Sequence, residues 1–204
     1  MVLRLISLLA LIVLTNVDAG EGFLLPVKTG DRLSADQLAL TPIGKFGLVR
    51  KARPNIPSHL HSGIDIKRPN PNYSNEPVYP IADGIVISKR DDGPYAQLII
   101  EHNFCGMRFW TLYEHLAGIT VDVNSVVSPE NQIGRFMNRD ELNRYGWQFD
   151  HVHFEVLRVH PLALQPRPAT PARFYASYSL ICFSRADLAK YYYDPLEFLS
   201  ERIK

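Results

Sequence analysis

The sequence predicts a mostly β fold of antiparallel strands, and three observations carry that prediction. Between residues 46 and 156, short runs rich in β-branched and aromatic residues alternate with turn signals at Asp83-Gly84, Asp91-Asp92-Gly93-Pro94 and Asn103 to Gly106. Phe109, Thr111, Tyr113 and His115 alternate with Trp110, Leu112, Glu114 and Leu116, as in a strand with two unlike faces. The segment His151-Val152-His153-Phe154-Glu155-Val156 repeats that period of two.

Taken in order, Met1 to Ala19 carries Arg4, an apolar run from Leu5 to Leu14, polar Thr15 and Asn16, and small residues at Val17 and Ala19. This is the pattern of a secretory signal peptide cut after Ala19. A membrane span needs about 20 apolar residues and the run has about half that, so an exported protein is expected rather than an anchored one. No cysteine follows the run to take a lipid. Residues 20–45 form a lead-in, with a strand expected around Phe23 to Val27 and a brief helix at Ala35 to Leu40. The main domain is expected over 46–204, with a helical turn at Asp140 to Tyr145 before the His151-Val152-His153 strand. Residues 160–193 hold Pro161, Pro166, Pro168 and Pro171 and many aromatics. That segment reads as an insertion, either a lid or partner surface or a packed extension covering a sheet edge, with Ala186 to Tyr193 helical.

Cleavage leaves about 185 residues, enough for one domain with a sizeable core. The net charge of +1 gives no nucleic-acid footprint and no polybasic membrane patch. The two cysteines, Cys105 and Cys182, could form one bridge in an oxidising compartment or stay as free thiols.

The residues that carry chemistry lie in two separated stretches. On an extended segment His151 and His153 point the same way, about 7 Å apart, so both rings could reach one ion. His61 and Asp65, four apart in His59-Leu60-His61-Ser62-Gly63-Ile64-Asp65, share a face whether the chain is extended or helical. Imidazole nitrogen and carboxylate oxygen suit zinc, and a catalytic zinc site takes three protein ligands with a fourth position left to water. Four candidates exceed that need by one, and a spare histidine suits proton transfer. Spacing leaves open which of His151 and His153 would bind the metal. No HExxH occurs, which excludes the helical zinc-protease arrangement.

Read in order, HxGxD at His61 to Asp65, then Val78 to Val86, Gln97 to His102, Thr111-Leu112-Tyr113-Glu114-His115-Leu116 and HxHFEV at His151 to Val156 resemble the lysostaphin/LytM-type zinc metalloendopeptidases, which cleave peptide crosslinks of peptidoglycan. The resemblance covers residues 45 to 156, with a weaker echo at Asp194-Pro195-Leu196. It implies the antiparallel sheet of that family. It also implies one zinc ion held by His61, Asp65 and His153, with His115 and His151 as the catalytic pair. Glu155 shares the face of His151 and His153 and is the expected carboxylate behind a ligating histidine, whereas Asp150 reads as a solvated carboxylate. His102 is expected to be structural, His160 to lie in a surface turn, and His59 to line the cleft if it lies on a strand.

Two departures from the family stand out. Tyr145-Gly146-Trp147-Gln148-Phe149-Asp150 is bulky where the family has small residues, and residues 160–193 intervene before the closing segment. The expected function is therefore a secreted or periplasmic zinc endopeptidase acting on peptidoglycan stem-peptide crosslinks. The alternative is a non-catalytic module of the same fold that binds a partner or regulates another hydrolase.

Overall fold

In the computed structural model the described residues are 22–203, so the signal-peptide reading of residues 1–19 lies outside them. The centre is a seven-stranded antiparallel sheet. Its strands are β1 (Ile64–Lys67), β2 (Gly84–Arg90), β3 (Gln97–Phe104), β4 (Met107–Glu114), β5 (Val126–Val127), β6 (His151–Leu157) and β7 (Tyr192–Tyr193). The order is β7-β6-β4-β3-β2-β5, and β1 pairs with the first half of β6 on the side where β7 pairs with its end. Three short helices accompany it: α1 (Arg139–Tyr145), α2 (Arg185–Tyr191) and α3 (Pro195–Arg202).

Strands β3 and β4 are consecutive because Phe104 pairs with Met107 and only Cys105 and Gly106 turn between them. Both turn residues have positive φ, 49° and 80°, the backbone that a two-residue hairpin loop requires. Cys105 is exposed there and Cys182 is buried, and both are free thiols.

The period of two sorts the sheet into faces. On one face Ile64, Ile66, Phe109, Tyr113, Val152, Phe154 and Val156 enter the main core with Phe23, Leu25, Val27, Phe198 and Leu199. On the other, Ile99, Trp110, Leu112 and Leu157 pack against Cys182, Leu188 and Tyr192 from the late segment. Residues 160–193 therefore contribute a layer over this second face, tied to β2 by Lys89 N donating to Ala172 O at 3.0 Å. The histidine end of the same face carries His151, His153, Glu155 and Glu114.

Several local expectations change. Phe23, Leu25, Pro26 and Val27 are buried, but the stretch pairs only through a single bridge, Val27 with Val78. The helix expected at Ala35 to Leu40 is one 3-10 turn, Ala35–Gln37, because Leu40 bridges to Ile66 instead. The α1 turn is present, capped reciprocally by Asn138 and Glu141. The late helix ends at Tyr191, since Tyr192 and Tyr193 join the sheet edge beside Val156 and Leu157. Among the described residues no helix is long and apolar enough to cross a membrane.

Candidate functional site

Strand register brings the two motif stretches together. Asp65 lies opposite His153 across the β1–β6 pair, and directly opposed residues of an antiparallel pair share a face. His61 reaches the same place from just before β1. The chain can pass so close to β6 only because residue 63 is glycine: a Cβ there would collide with the Phe154 carbonyl oxygen. HxGxD is thus a steric motif as well as a ligand motif.

His61 Nε2, Asp65 Oδ1 and His153 Nδ1 form a triangle with every edge 3.0 Å. The outward nitrogens reveal the protonation. His61 Nδ1 lies 3.0 Å from Lys45 O, and His153 Nε2 lies 3.0 Å from Glu155 Oε1. A carbonyl and a carboxylate can only accept, so each neutral ring spends its one N–H outward and turns a lone pair inward. With the Asp65 oxygen, three acceptors converge on one point and call for a cation. Donors around a tetrahedral zinc with bonds of about 2.0–2.1 Å stand roughly 3.3–3.4 Å apart, so this group fits such an ion with little adjustment. His61, Asp65 and His153 could hold a metal ion.

The electrostatics agree. Burial alone would lower the pKa of His153, but hydrogen bonds to Asp65 and Glu155 hold it up to about 10, so without metal a proton takes the cation's place. Burial likewise opposes the charge on Asp65, yet the hydrogen bond from protonated His153, foremost among the favourable contacts, holds that carboxyl far below the usual range. Its second oxygen, Oδ2, accepts from Arg50 Nη2 at 2.6 Å. Glu155 is also kept ionised and accepts from Ser62 Oγ at 2.5 Å.

Beside the triangle stand the other two histidines. His151 Nε2 is 3.7 Å from Asp65 Oδ1, outside the three-donor group, and its ring meets that of His115 edge-on with centroids 4.7 Å apart. His115 Nδ1 lies 2.6 Å from Pro94 O, so that nitrogen donates and Nε2 is left with a lone pair. Burial pushes His151 down to about 3 and His115 below its ordinary value, so both are neutral at neutral pH.

His115 reaches the site by a route that strand alternation does not give. Continuing the alternation would turn it toward the core face of Phe109, Thr111 and Tyr113. Instead β4 ends at Glu114, and His115 takes a left-handed φ of 65° that swings its ring to the face of His151.

The remaining expectations sort cleanly. Glu155 backs His153 as expected, whereas Asp150 is not simply solvated: it accepts from Arg68 Nε at 2.9 Å and Nη2 at 2.7 Å. His102 is fully buried between Asp83 O and Thr111 Oγ1, a structural role. His59 turns to Pro57 O rather than to the triangle, and His160 is exposed, edge-on to Trp110. Arg50, Ser62 and the carbonyls of Lys45 and Pro94 were invisible to the sequence reading. Carbonyls leave no trace in residue type, and Arg50 arrives through a pairing of Val49–Arg50 with His59–Leu60 that nothing in its neighbours announces.

Comparison with known proteins points the same way. No curated protein matches the chain. Similar solved structures include a zinc-containing peptidase from Vibrio cholerae, 28% identical over 67% of this chain, with a TM-score of 0.45; the chain covers 36% of its length. Lysostaphin is 18% identical over 82% of this chain and 52% of its own, with a TM-score of 0.49. The M23 metalloprotease pseudoalterin, from the deep sea, is 18% identical over 69% of this chain and 72% of its own, with a TM-score of 0.41. The model of peptidase family M23 matches residues 59–166, more than half of the sequence, and all five site positions, His61, Asp65, His115, His151 and His153, fall within that stretch, so the chain belongs to peptidase family M23.

Proposed function

We propose that this protein is an exported zinc metalloendopeptidase that hydrolyses amide bonds in the peptide crosslinks of peptidoglycan. One observation carries the reading: His61 Nε2, Asp65 Oδ1 and His153 Nδ1 face one another at 3.0 Å, while the outward ring nitrogens face Lys45 O and Glu155 Oε1. Zinc in such a place supplies a water that ionises near neutral pH and a Lewis acid for the scissile carbonyl. Family membership supports the peptidase chemistry, and the apolar run from Leu5 to Leu14 supports export.

The chain's own groups complete the division of labour. His61, Asp65 and His153 hold the ion, with Lys45 O, Arg50 and Glu155 fixing their orientation. His115 is the proton acceptor, because Pro94 O fixes its N–H at Nδ1 and leaves Nε2 free to accept. Once protonated there, the same ring can return that proton to the leaving amine. His151, edge-on to it, is left to donate toward the oxygen on which negative charge develops.

The test is release of soluble fragments from purified peptidoglycan by the zinc-loaded chain. Release should stop with a chelator and return with zinc. His115→Ala should keep stoichiometric zinc and lose release. Release that survives chelation, or that survives His115→Ala, would overturn the proposal, and loss of zinc in that variant would make His115 a ligand.

A further inference from the structure

The late segment 160–193 meets the sheet on the face that carries the metal ligands. A line of directly opposed residues crosses that face in register: Asp65 pairs with His153, His153 with Glu114, Glu114 with Gln97, and Gln97 with Arg90. Opposed residues of an antiparallel pair share a face, so this polar row runs from the ligand triangle across β6, β4 and β3 to the end of β2. Neighbouring strands stand about 4.8 Å apart, which puts the Arg90 backbone about 14 Å from that of His153.

At the far end of the row the late segment adds a second guanidinium. Lys89 N donates to Ala172 O at 3.0 Å and Tyr175 N donates to Ser88 Oγ at 3.1 Å, so Arg173 is held beside Arg90. Asp92 accepts from Arg90 twice, at 2.7 and 3.2 Å, and Gln97 Nε2 donates to Glu114 Oε1 at 3.1 Å. Arg173 has no such partner: its Nε is buried without a hydrogen-bond acceptor among the described residues. Three guanidiniums, Arg173 with Arg90 and Arg167, stand there against two carboxylates, Glu114 and Asp92. Burial, and then the charge of Arg90, lowers the pKa of Arg173. An anion seated between the two arginines would offset both effects.

One side chain separates this end of the row from the histidines. The Arg90 guanidinium lies 5.7 Å from the centre of the Tyr95 ring, and that ring lies 5.8 Å from the ring of His115. Arg90 and Arg173 are both partly exposed. An extended peptide advances about 3.3 Å per residue, so a chain laid along the row with its scissile bond at the metal would bring a group three or four residues away to the arginines. Glu114 lies between and disfavours an anion placed nearer the ion.

We propose that Arg173, together with Arg90, forms an anion subsite that anchors a free carboxylate of the peptide substrate about three or four residues from the scissile bond. It rests on the peptidase reading of the neighbouring metal site. A guanidinium fork matches a carboxylate in two parallel hydrogen bonds, which an ammonium does not. Arg173 holds the substrate away from the reacting atoms, so its loss raises KM more than it lowers kcat.

The experiment uses Gly/Ala peptides of about four to eight residues in matched pairs, one ending in a free acid and the other in a carboxamide. They are offered to the wild-type chain, Arg173→Gln and Arg173→Lys, each checked for folding by circular dichroism. Calorimetry on the metal-free protein reads binding without catalysis and without zinc as a rival site for the carboxylate. Wild type should bind the best acid about tenfold more tightly than its amide, and salt at about 0.5 M should shrink that ratio. Arg173→Gln should bring the ratio near one, whereas Arg173→Lys, which keeps the charge and loses the fork, should keep part of it. A wild-type ratio near one, no binding of any peptide, or a ratio unchanged in Arg173→Gln would overturn the proposal. Acid preference in binding with no release from peptidoglycan by the zinc-loaded chain would instead sink the hydrolytic reading and leave the subsite standing.

Discussion

Replacing Glu155 by glutamine tests the site through a residue that would not touch the metal. The Glu155 side chain is 1% exposed, and its Oε1 stands 3.0 Å from His153 Nε2 and 2.5 Å from Ser62 Oγ. The amide keeps the volume and can keep one acceptor, but it removes the negative charge that draws the His153 proton outward and sharpens the lone pair at Nδ1. Charge-assisted hydrogen bonds are roughly twice as strong as neutral ones. Loss of such a partner behind a ligating histidine lowers metal affinity about 10–100-fold, or roughly 1.4–2.7 kcal/mol. The assay is competition for zinc against a chromophoric chelator at pH 7.5, with circular dichroism to establish that the variant is folded. Affinity within about twofold of wild type would refute the reasoning, since Glu155 would then be a bystander to His153.

Other outcomes follow from the same geometry. Gly63→Ala forces a methyl group onto the Phe154 carbonyl and should cost about 3 kcal/mol or more of stability, read as a lower urea midpoint; an unchanged midpoint would show that β1 and β6 can part there at no cost. Arg50→Gln leaves Asp65 Oδ2 without its guanidinium and should weaken zinc binding about tenfold while leaving the fold intact, as measured by the same chelator competition. Burial pushes His102 down to about 4, against about 6.5 unfolded, so between those values the unfolded chain binds more protons and stability rises with pH. Acidification from pH 6.5 to 4 should therefore cost about 3 kcal/mol through this residue, and His102→Asn should flatten that part of the urea-midpoint profile; superimposable slopes would contradict it.

How far the site could be read in advance depended on whether its determinants were local. HxH and HxGxD are legible because a period of two and a spacing of four fix which side chains share a face. Glu155 follows from the same period. The choice of His153 over His151 as ligand was not available from spacing, since both point to one side. Register decides it by placing Asp65 opposite His153. His115 was legible only through family resemblance, because a left-handed residue breaks the alternation that seemed to account for it. In the lead-in, Phe23 to Val27 read as a strand, but a sequence names no partner, and here Phe23, Leu25 and Val27 enter the core while only Val27 bridges a neighbour, Val78. The aromatic stretch before His151 was visible as a departure, yet its consequence depended on Gly146 turning Phe149 onto a histidine more than thirty residues away in sequence.

The most direct test of the central claim is a crystal structure of the zinc-loaded chain with anomalous diffraction recorded at the zinc edge. One zinc peak is expected within bonding distance of His61 Nε2, Asp65 Oδ1 and His153 Nδ1, with His115 and His151 beside it and unligated. A peak elsewhere, or none at full zinc loading, would contradict the account.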